Sequence, residues 1–260
     1  MTETEILNLI ESSIKKGNKD IESFFITLHS NLEKIISIKD LKRMIKTRII
    51  EKNIYFIRHA EAMHNVLEQK YKGDFSKCNV YDPVLSERGK EQTLFTMEKL
   101  INENIKFDTV FVSPLTRTIQ TYFLVKDDIN KDAQVVITDF AREVLSYCDK
   151  NKGKKLSLLK SEYKNNNFNF DYMTKEYWWF DLGEQKKDEL ESLLKFRLRL
   201  ALFILWLIFR KDKNMLIISH SHVFANMQNK GIYNADMVKM SNKVLLNKVL
   251  ETLLYLLIAN

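Results

Sequence analysis

Residues 54–65 read IYFIRHAEAMHN. Ile54, Tyr55, Phe56 and Ile57 form a short run of β-branched and aromatic residues, the pattern of a strand buried on both faces in a parallel sheet. The run breaks abruptly into Arg58-His59-Ala60-Glu61. Open α/β sheets bind their ligands in the crevice beyond the carboxyl ends of the strands, so an arginine and a histidine at this point are candidate ligand-binding groups. Ordinary strand-end residues are the alternative reading from this stretch alone.

Working outward, three further apolar runs have the same character: TVFVS at 109–113, QVVIT at 134–138 and MLIIS at 215–219, the last ending in His220-Ser221-His222. A shorter strand is expected near 232–238. Ser86 is a candidate N-cap for an amphipathic helix over 87–102. Pro114 behind Ser113 suggests a second helix running to Val125, with Arg117 in its opening turn, where the helix dipole favours an anion. Residues 146–180 are polar and aromatic-rich without strong periodicity, which predicts an ordered lid-like insertion. A long helix is expected over 184–210; its run LALFILWLIF at 200–209 is too short to span a bilayer and reads as a buried core helix.

Residues 1–50 carry apolar positions at helical spacing, with a break at Gly17-Asn18, and 241–260 read as an amphipathic helix. The expected organisation is therefore a helical extension over 1–50, an α/β domain over 51–240 and a C-terminal helix over 241–260. Packing of the terminal helix on the first fifty residues is expected, with a homodimer or partner contact through these ends as the alternative; a membrane is not expected.

Composition narrows the function classes. The 260 residues are 45% hydrophobic and 29% charged, enough for one sizeable core. The acidic start Met-Thr-Glu-Thr-Glu lacks the pattern of a signal peptide, and Cys78 and Cys148 have neither CxxC spacing nor a disulfide framework, so free thiols and a cytoplasmic location are expected. The net charge of +7 is compatible with nucleic acid, an anionic surface or a small anionic substrate. No basic run interleaved with stacking aromatics points to nucleic acid. With six glycines, the chain has neither GxGxxG nor GxxxxGK[ST], which disfavours Rossmann dinucleotide binding and P-loop nucleotide hydrolysis. His220 and His222 resemble a metal pair without further ligands at suitable spacing; no metal and no cofactor is expected.

Five pieces in order, RHAEAMHN, YDPVLSERGKEQ, VFVSPLTRTIQT, AREVLSYCD and LIISH, together resemble the histidine phosphatase superfamily, the phosphoglycerate mutase-like fold. SLLKSEY, FDY, EYWW and YNADMV bring the chain nearer to the eukaryotic phosphatase-like subgroup. The resemblance runs from residue 54 to about 240 and leaves both ends unexplained. It implies a three-layer α/β/α fold with a mostly parallel central sheet. It also implies that His59 is the nucleophile, Glu143 the proton donor and His220 a second pocket histidine, with Arg58, Asn65, Arg117 and His220 holding phosphate. The chemistry suits these residue types: arginines stay charged at any working pH, a nucleophilic histidine must be neutral, and a glutamate donor calls for a raised pKa.

Departures from the family pattern are Ala60 in place of the glycine of the RHG signature, and Ser221 and His222 in place of glycines after the second histidine. His64 reads as pocket lining. Lys150, Lys152, Lys154 and Lys155 either extend positive potential toward a second anionic group or form a solvated charge run. The leading expectation is a metal-independent phosphomonoesterase acting through phosphohistidine on a small anionic phosphorylated substrate. Phosphoglycerate mutase-type transfer is the runner-up, weakened by the missing glycine-tryptophan pair between Val66 and Asp82. A catalytically silent interaction protein and a phosphoprotein phosphatase, with Tyr177, Trp178 and Trp179 lining a peptide groove, are further alternatives.

Overall fold

The computed structural model describes residues 3–15, 38–145, 148–179 and 191–258. The expected break at Gly17-Asn18 and the helical pattern of Phe24 to Ile36 lie outside them. The elements in chain order begin with α1 (Glu3–Lys15), α2 (Ile38–Ile50), β1 (Asn53–Arg58), α3 (Met63–Lys70), α4 (Phe75–Cys78) and α5 (Glu87–Glu103). Next come β2 (Thr109–Val112), α6 (Thr116–Val125), β3 (Gln134–Ile137), α7 (Leu156–Glu162) and β4 (Phe168–Asn169). The last are α8 (Leu193–Phe209), β5 (Asn214–Ser219), α9 (Ser221–Gln228), β6 (Met237–Lys239) and α10 (Asn242–Ile258).

The described strands form one six-stranded sheet in the order β4-β3-β2-β5-β1-β6. All neighbours are parallel except β6, which runs antiparallel to β1. Alternate strand residues face opposite sides, as the two-residue repeat of a strand requires. Ile54, Phe56, Phe111, Val136, Met215 and Ile217 pack with α8 and α9, whereas Tyr55, Ile57, Val110, Val112, Ile137 and Ile218 pack toward α5 and α6. The architecture is the expected three-layer α/β/α.

The uninterrupted apolar run of α8 has a cause in its neighbours. Ile6 and Ile10 of α1, Ile45 and Ile49 of α2, and Leu245 and Val249 of α10 are buried in the same cluster, so α8 is covered on its outer side as well. An all-apolar helix is stable only with such cover. The Asn242 amide donates to the carbonyls of Ile49 at 2.7 Å and Lys52 at 2.9 Å, tying the start of α10 to the end of α2. No helix among the described residues is long and apolar enough to cross a membrane.

Four local expectations are corrected. The helix after β2 starts at Thr116, with Leu115 as N-cap, because Ser113 is used elsewhere and the Asp82 carboxylate receives both the Thr116 N–H at 2.9 Å and its hydroxyl at 2.7 Å. The long helix begins at Leu193; the Ser192 hydroxyl caps it by accepting from the Lys195 N–H at 3.2 Å, and 184–190 lie outside the described residues. The short strand after β5 is Met237–Lys239, since 232–236 fold over the end of β1 instead. Finally, the described part of 146–180 is built into the body rather than lying over it as a lid. β4 extends the sheet, and Trp178 and Trp179 are buried, which also removes them as the lining of a peptide groove.

Gly89 shows how closely α5 approaches the end of β1. Ser86 caps this helix as expected, accepting from the Gly89 N–H at 3.0 Å, and donates to the Glu61 carboxylate at 2.8 Å. A Cβ on Gly89 would lie 2.0 Å from the Glu61 carbonyl oxygen. Gly89→Ala is therefore expected to lower stability by about 1–3 kcal/mol, as overpacking does, and chemical denaturation will measure it. An unchanged unfolding midpoint would show that the Glu61 turn yields freely.

Candidate active site

Strand register assembles the site. Arg58 of β1 lies opposite Ser219 of β5, so the next residues, His59 and His220, leave the sheet side by side. Their ring centroids are 5.2 Å apart, and the His64 ring lies 5.7 Å from that of His59. β2 ends one strand away, which brings the Ser113 hydroxyl to 2.8 Å from His220 Nε2. All three histidines are buried.

The N-termini of three helices converge on this edge: Asn65 lies in the first turn of α3, Arg117 in the first turn of α6, and His220 is the N-cap of α9. Aligned helix dipoles favour negative charge there. His59 Nδ1 lies 2.8 Å from the Ala60 carbonyl, so Nδ1 carries the proton and Nε2 keeps its lone pair. The His59 carbonyl accepts from the Asn234 amide at 3.0 Å and from the Ala235 N–H at 3.3 Å, and the Ala60 N–H donates to the Thr121 hydroxyl at 3.1 Å. These bonds hold the His59–Ala60 backbone from two sides.

Arg58 donates to the Ile232 carbonyl at 2.9 Å; Arg117 donates to the Lys150 carbonyl at 2.7 Å and to Asn151 Oδ1 at 3.0 Å. Neither guanidinium pairs with a carboxylate in these bonds. Arg58 Nε, Arg117 Nε, His64 Nδ1 and His220 Nδ1 are buried without a hydrogen-bond partner among the described residues. A buried polar group left unpaired costs about 1–3 kcal/mol, so these four call for polar partners from outside the chain, and the two arginine N–H groups for an acceptor.

Burial, reinforced by Arg117, His64 and Arg58, pushes the His59 pKa well below its ordinary value. His220 is lowered in the same way, and His64 falls to about 2 through burial and the charges of Arg117, Lys150 and Arg58. The three rings are neutral at neutral pH. Burial lowers Arg117 to about 10, which leaves it charged.

Glu143 follows β3 and is buried, but its environment differs from the expectation of a raised pKa. Burial pushes its carboxyl up; the hydrogen bond and charge of His222, the Val144 N–H and Arg117 outweigh that and bring it down. His222 Nδ1 lies 3.1 Å from Glu143 Oε2, and the His222 N–H donates to the same oxygen at 3.3 Å. The glycine position taken by His222 thus supplies a partner for Glu143. Arg142, next to Glu143 in the sequence, pairs with Glu191 at 2.8 Å.

The lysine run resolves into local pairs: Lys150 with Glu68, Lys152 with Asp149 and Lys154 with Glu162, while Lys155 lies over the Tyr177 ring. Of this run, Lys150 is among the leading charges that lower the His64 pKa. Cys78 and Cys148 are both free and buried. No group of three or more His, Cys, Asp or Glu among the described residues is placed to hold a metal ion. Sequence reasoning missed Asp82, Ser113, Asn151 and Asn234 as supports of the pocket. Asp82, Ser113 and Asn234 do lie inside the motifs that carried the resemblance.

Residues 54–233 match the family model for the histidine phosphatase superfamily, branch 1. The chain belongs to this superfamily. Over 72 residues it is 32% identical to a probable phosphatase of Schizosaccharomyces pombe, a match spanning 28% of this chain and 31% of that protein. It is 25% identical over 201 residues to a phosphoglycerate mutase-like protein of Arabidopsis thaliana, covering 65% of this chain and 71% of the relative. Among solved structures, the ecdysone phosphate phosphatase of Bombyx mori, in complex with tungstate, superposes with a TM-score of 0.51 at 12% identity, over 74% of this chain and 90% of that one. That likeness is one of fold. Within the superfamily frame, Arg58, His59, Asn65, Arg117, Glu143 and His220 all stand at the carboxyl edge of the sheet.

Proposed function

We propose that the protein is a phosphomonoesterase that works without a metal ion, through a phosphohistidine at His59, on a small anionic phosphate ester. The observation that carries this reading is the set of buried, unpartnered nitrogens of Arg58, Arg117, His64 and His220 around a neutral His59. Phosphoryl transfer is catalysed chiefly by positioning and by stabilising charge on the phosphoryl oxygens. Arg58 and Arg117 supply that charge, and His220, with Nε2 engaged by Ser113, offers Nδ1 as a donor. Asn65 uses its side-chain oxygen to accept from the Ala62 N–H at 3.1 Å, which leaves its amide nitrogen as a further donor. His59 Nε2 attacks phosphorus, and Glu143 protonates the leaving oxygen and then takes a proton from the water that hydrolyses the phosphohistidine. The relatives named as phosphatases support the reaction class.

Hydrolysis of an aryl phosphate and a panel of alkyl phosphates in the presence of chelator tests the proposal. Glu143→Gln is expected to slow alkyl esters, whose leaving groups need the proton, by about 10²–10⁴-fold and aryl phosphates much less. Equal losses on both would remove Glu143 as the donor. If folded wild-type protein turned over none of them, the reading would give way to a mutase dependent on a phosphorylated primer or to a binding protein.

A further inference from the structure

The proposed donor role of Glu143 carries a difficulty. Its carboxylate is held ionised, yet it must deliver a proton to the leaving oxygen. The group that ionises it is His222, in the first turn of α9, whose ring meets Glu143 Oε2 through Nδ1 at 3.1 Å while the side chain remains 67% exposed. The imidazole therefore bridges a buried carboxylate and solvent. Glu143 Oε1 is occupied separately by the Val144 N–H at 3.0 Å, so His222 is paired with one defined oxygen.

We propose that His222 and Glu143 form a one-proton dyad in which His222 stores the proton that Glu143 delivers to the leaving group. This rests on the phosphatase reading and deepens it by assigning a positioning and proton-storing role to a residue outside the phosphate pocket. In the resting dyad His222 is an imidazolium, with a proton on each ring nitrogen, and the one that moves sits on Nδ1, facing the Glu143 carboxylate. A bound phosphoryl group brings negative charge beside Glu143 and draws the proton from Nδ1 to Oε2. His59 Nε2 then forms the N–P bond, the ester P–O bond breaks, and its electron pair takes the proton from Glu143. In the second half, water forms the new P–O bond, the N–P bond returns its pair to Nε2, and the water's proton passes through Glu143 back to His222 Nδ1. The cycle ends with the dyad as it began, and no proton need enter from solvent.

The charged surroundings suit this exchange. Glu143 raises the His222 pKa through its hydrogen bond and charge, against burial and the opposing charges of Lys150 and Arg58. Arg117 faces Glu143 from α6, and Arg58 faces it from β1. A pair coupled this closely titrates as a unit, so the dyad keeps one proton to a higher pH than a glutamate alone would.

Two measurements on the full chain test the proposal. The first needs no turnover: the His222 ring is titrated by NMR in wild type and in Glu143→Gln, with His222→Asn identifying its signal. A lower His222 pKa in Glu143→Gln is expected, and an unchanged value overturns the dyad. The second compares pH–rate profiles on an alkyl and an aryl phosphate for wild type and His222→Asn. Asparagine keeps a donor to Glu143 and cannot store a proton. The alkaline limb for the alkyl ester is expected to move to lower pH, and the alkyl rate at neutral pH to fall about tenfold or more relative to the aryl rate. An unmoved limb with an unchanged alkyl-to-aryl ratio would mean that His222 merely props Glu143, and overturns the storage role alone. Wild type inert on every ester, with the NMR coupling intact, would overturn the phosphatase reading and the storage role together.

Discussion

Replacing His59 with alanine is expected to abolish turnover of every phosphate ester while leaving the chain folded. The loss should be about 10⁴-fold or more, because removal of a nucleophile leaves only what binding and charge stabilisation contribute. No neighbour can substitute. His220 Nε2 is engaged by Ser113, and the His64 ring centroid stands 5.7 Å from that of His59, away from the position of the attacking Nε2. The fold should survive because β1 is held by its backbone pairing to β5 and β6, and the His59 side chain bonds to its own neighbour's carbonyl rather than across the fold. Steady-state rates, a circular dichroism melt and phosphate labelling quenched in alkaline detergent check the three parts of this result. Wild type should carry an acid-labile, alkali-stable phosphate that the variant lacks. Retained turnover in a folded His59→Ala protein would sink the phosphohistidine mechanism.

The strands and their polar ends were legible because a buried parallel strand leaves a local signature: four apolar residues followed at once by Arg58-His59, or by His220. Their neighbour relations were not, because strand order is a matter of long-range pairing. Only with β1 beside β5 and β2 beyond it does His220 lie next to His59 and within reach of Ser113. The helix start at Pro114 failed for a similar reason. Ser113 looks like a cap locally, but an aspartate more than thirty residues earlier performs the capping, and the serine hydroxyl serves the histidine. The state of Glu143 depends on a residue 79 positions away, which no local pattern around Glu143 could show. The apolar run of α8 announced burial, whereas what buries it, α1, α2 and α10, carried no signal beyond ordinary amphipathic spacing. β4, two residues long, was too short to show a period at all.

Glu191 is expected to give the largest stability effect in the chain when replaced. Its two carboxylate oxygens are bound at 2.8 Å by Arg199 Nε and by an NH2 nitrogen of the same guanidinium, and at 2.8 Å by Arg142 NH1, with all three side chains essentially inaccessible. Arg199 also donates to the carbonyls of Phe140 at 2.8 Å and Arg142 at 3.0 Å, so the cluster clamps the segment that leads into Glu143. Glu191→Ala leaves two guanidinium groups buried without their carboxylate, which should cost about 3–5 kcal/mol. The same pairing makes stability depend on pH. Burial alone would push the Glu191 carboxyl up; Arg142 and Arg199 overcome it and bring it from the ordinary 4.5 to about 2. A folded pKa below the unfolded one stabilises the protein fully above the unfolded value, and that contribution, about 3 kcal/mol, is lost as pH falls from about 4.5 through about 2. Denaturant unfolding of wild type at neutral pH and at a series of acidic pH values should show this decline, and Glu191→Ala should start lower and lack that share of it. The same variant should lose alkyl phosphatase activity more than aryl, because the clamp positions Glu143. A variant as stable as wild type at neutral pH, with the same acid dependence, would mean that water or a rearranged carboxylate satisfies the two arginines, and the placement of Glu143 would then have to come from His222 and the Val144 N–H.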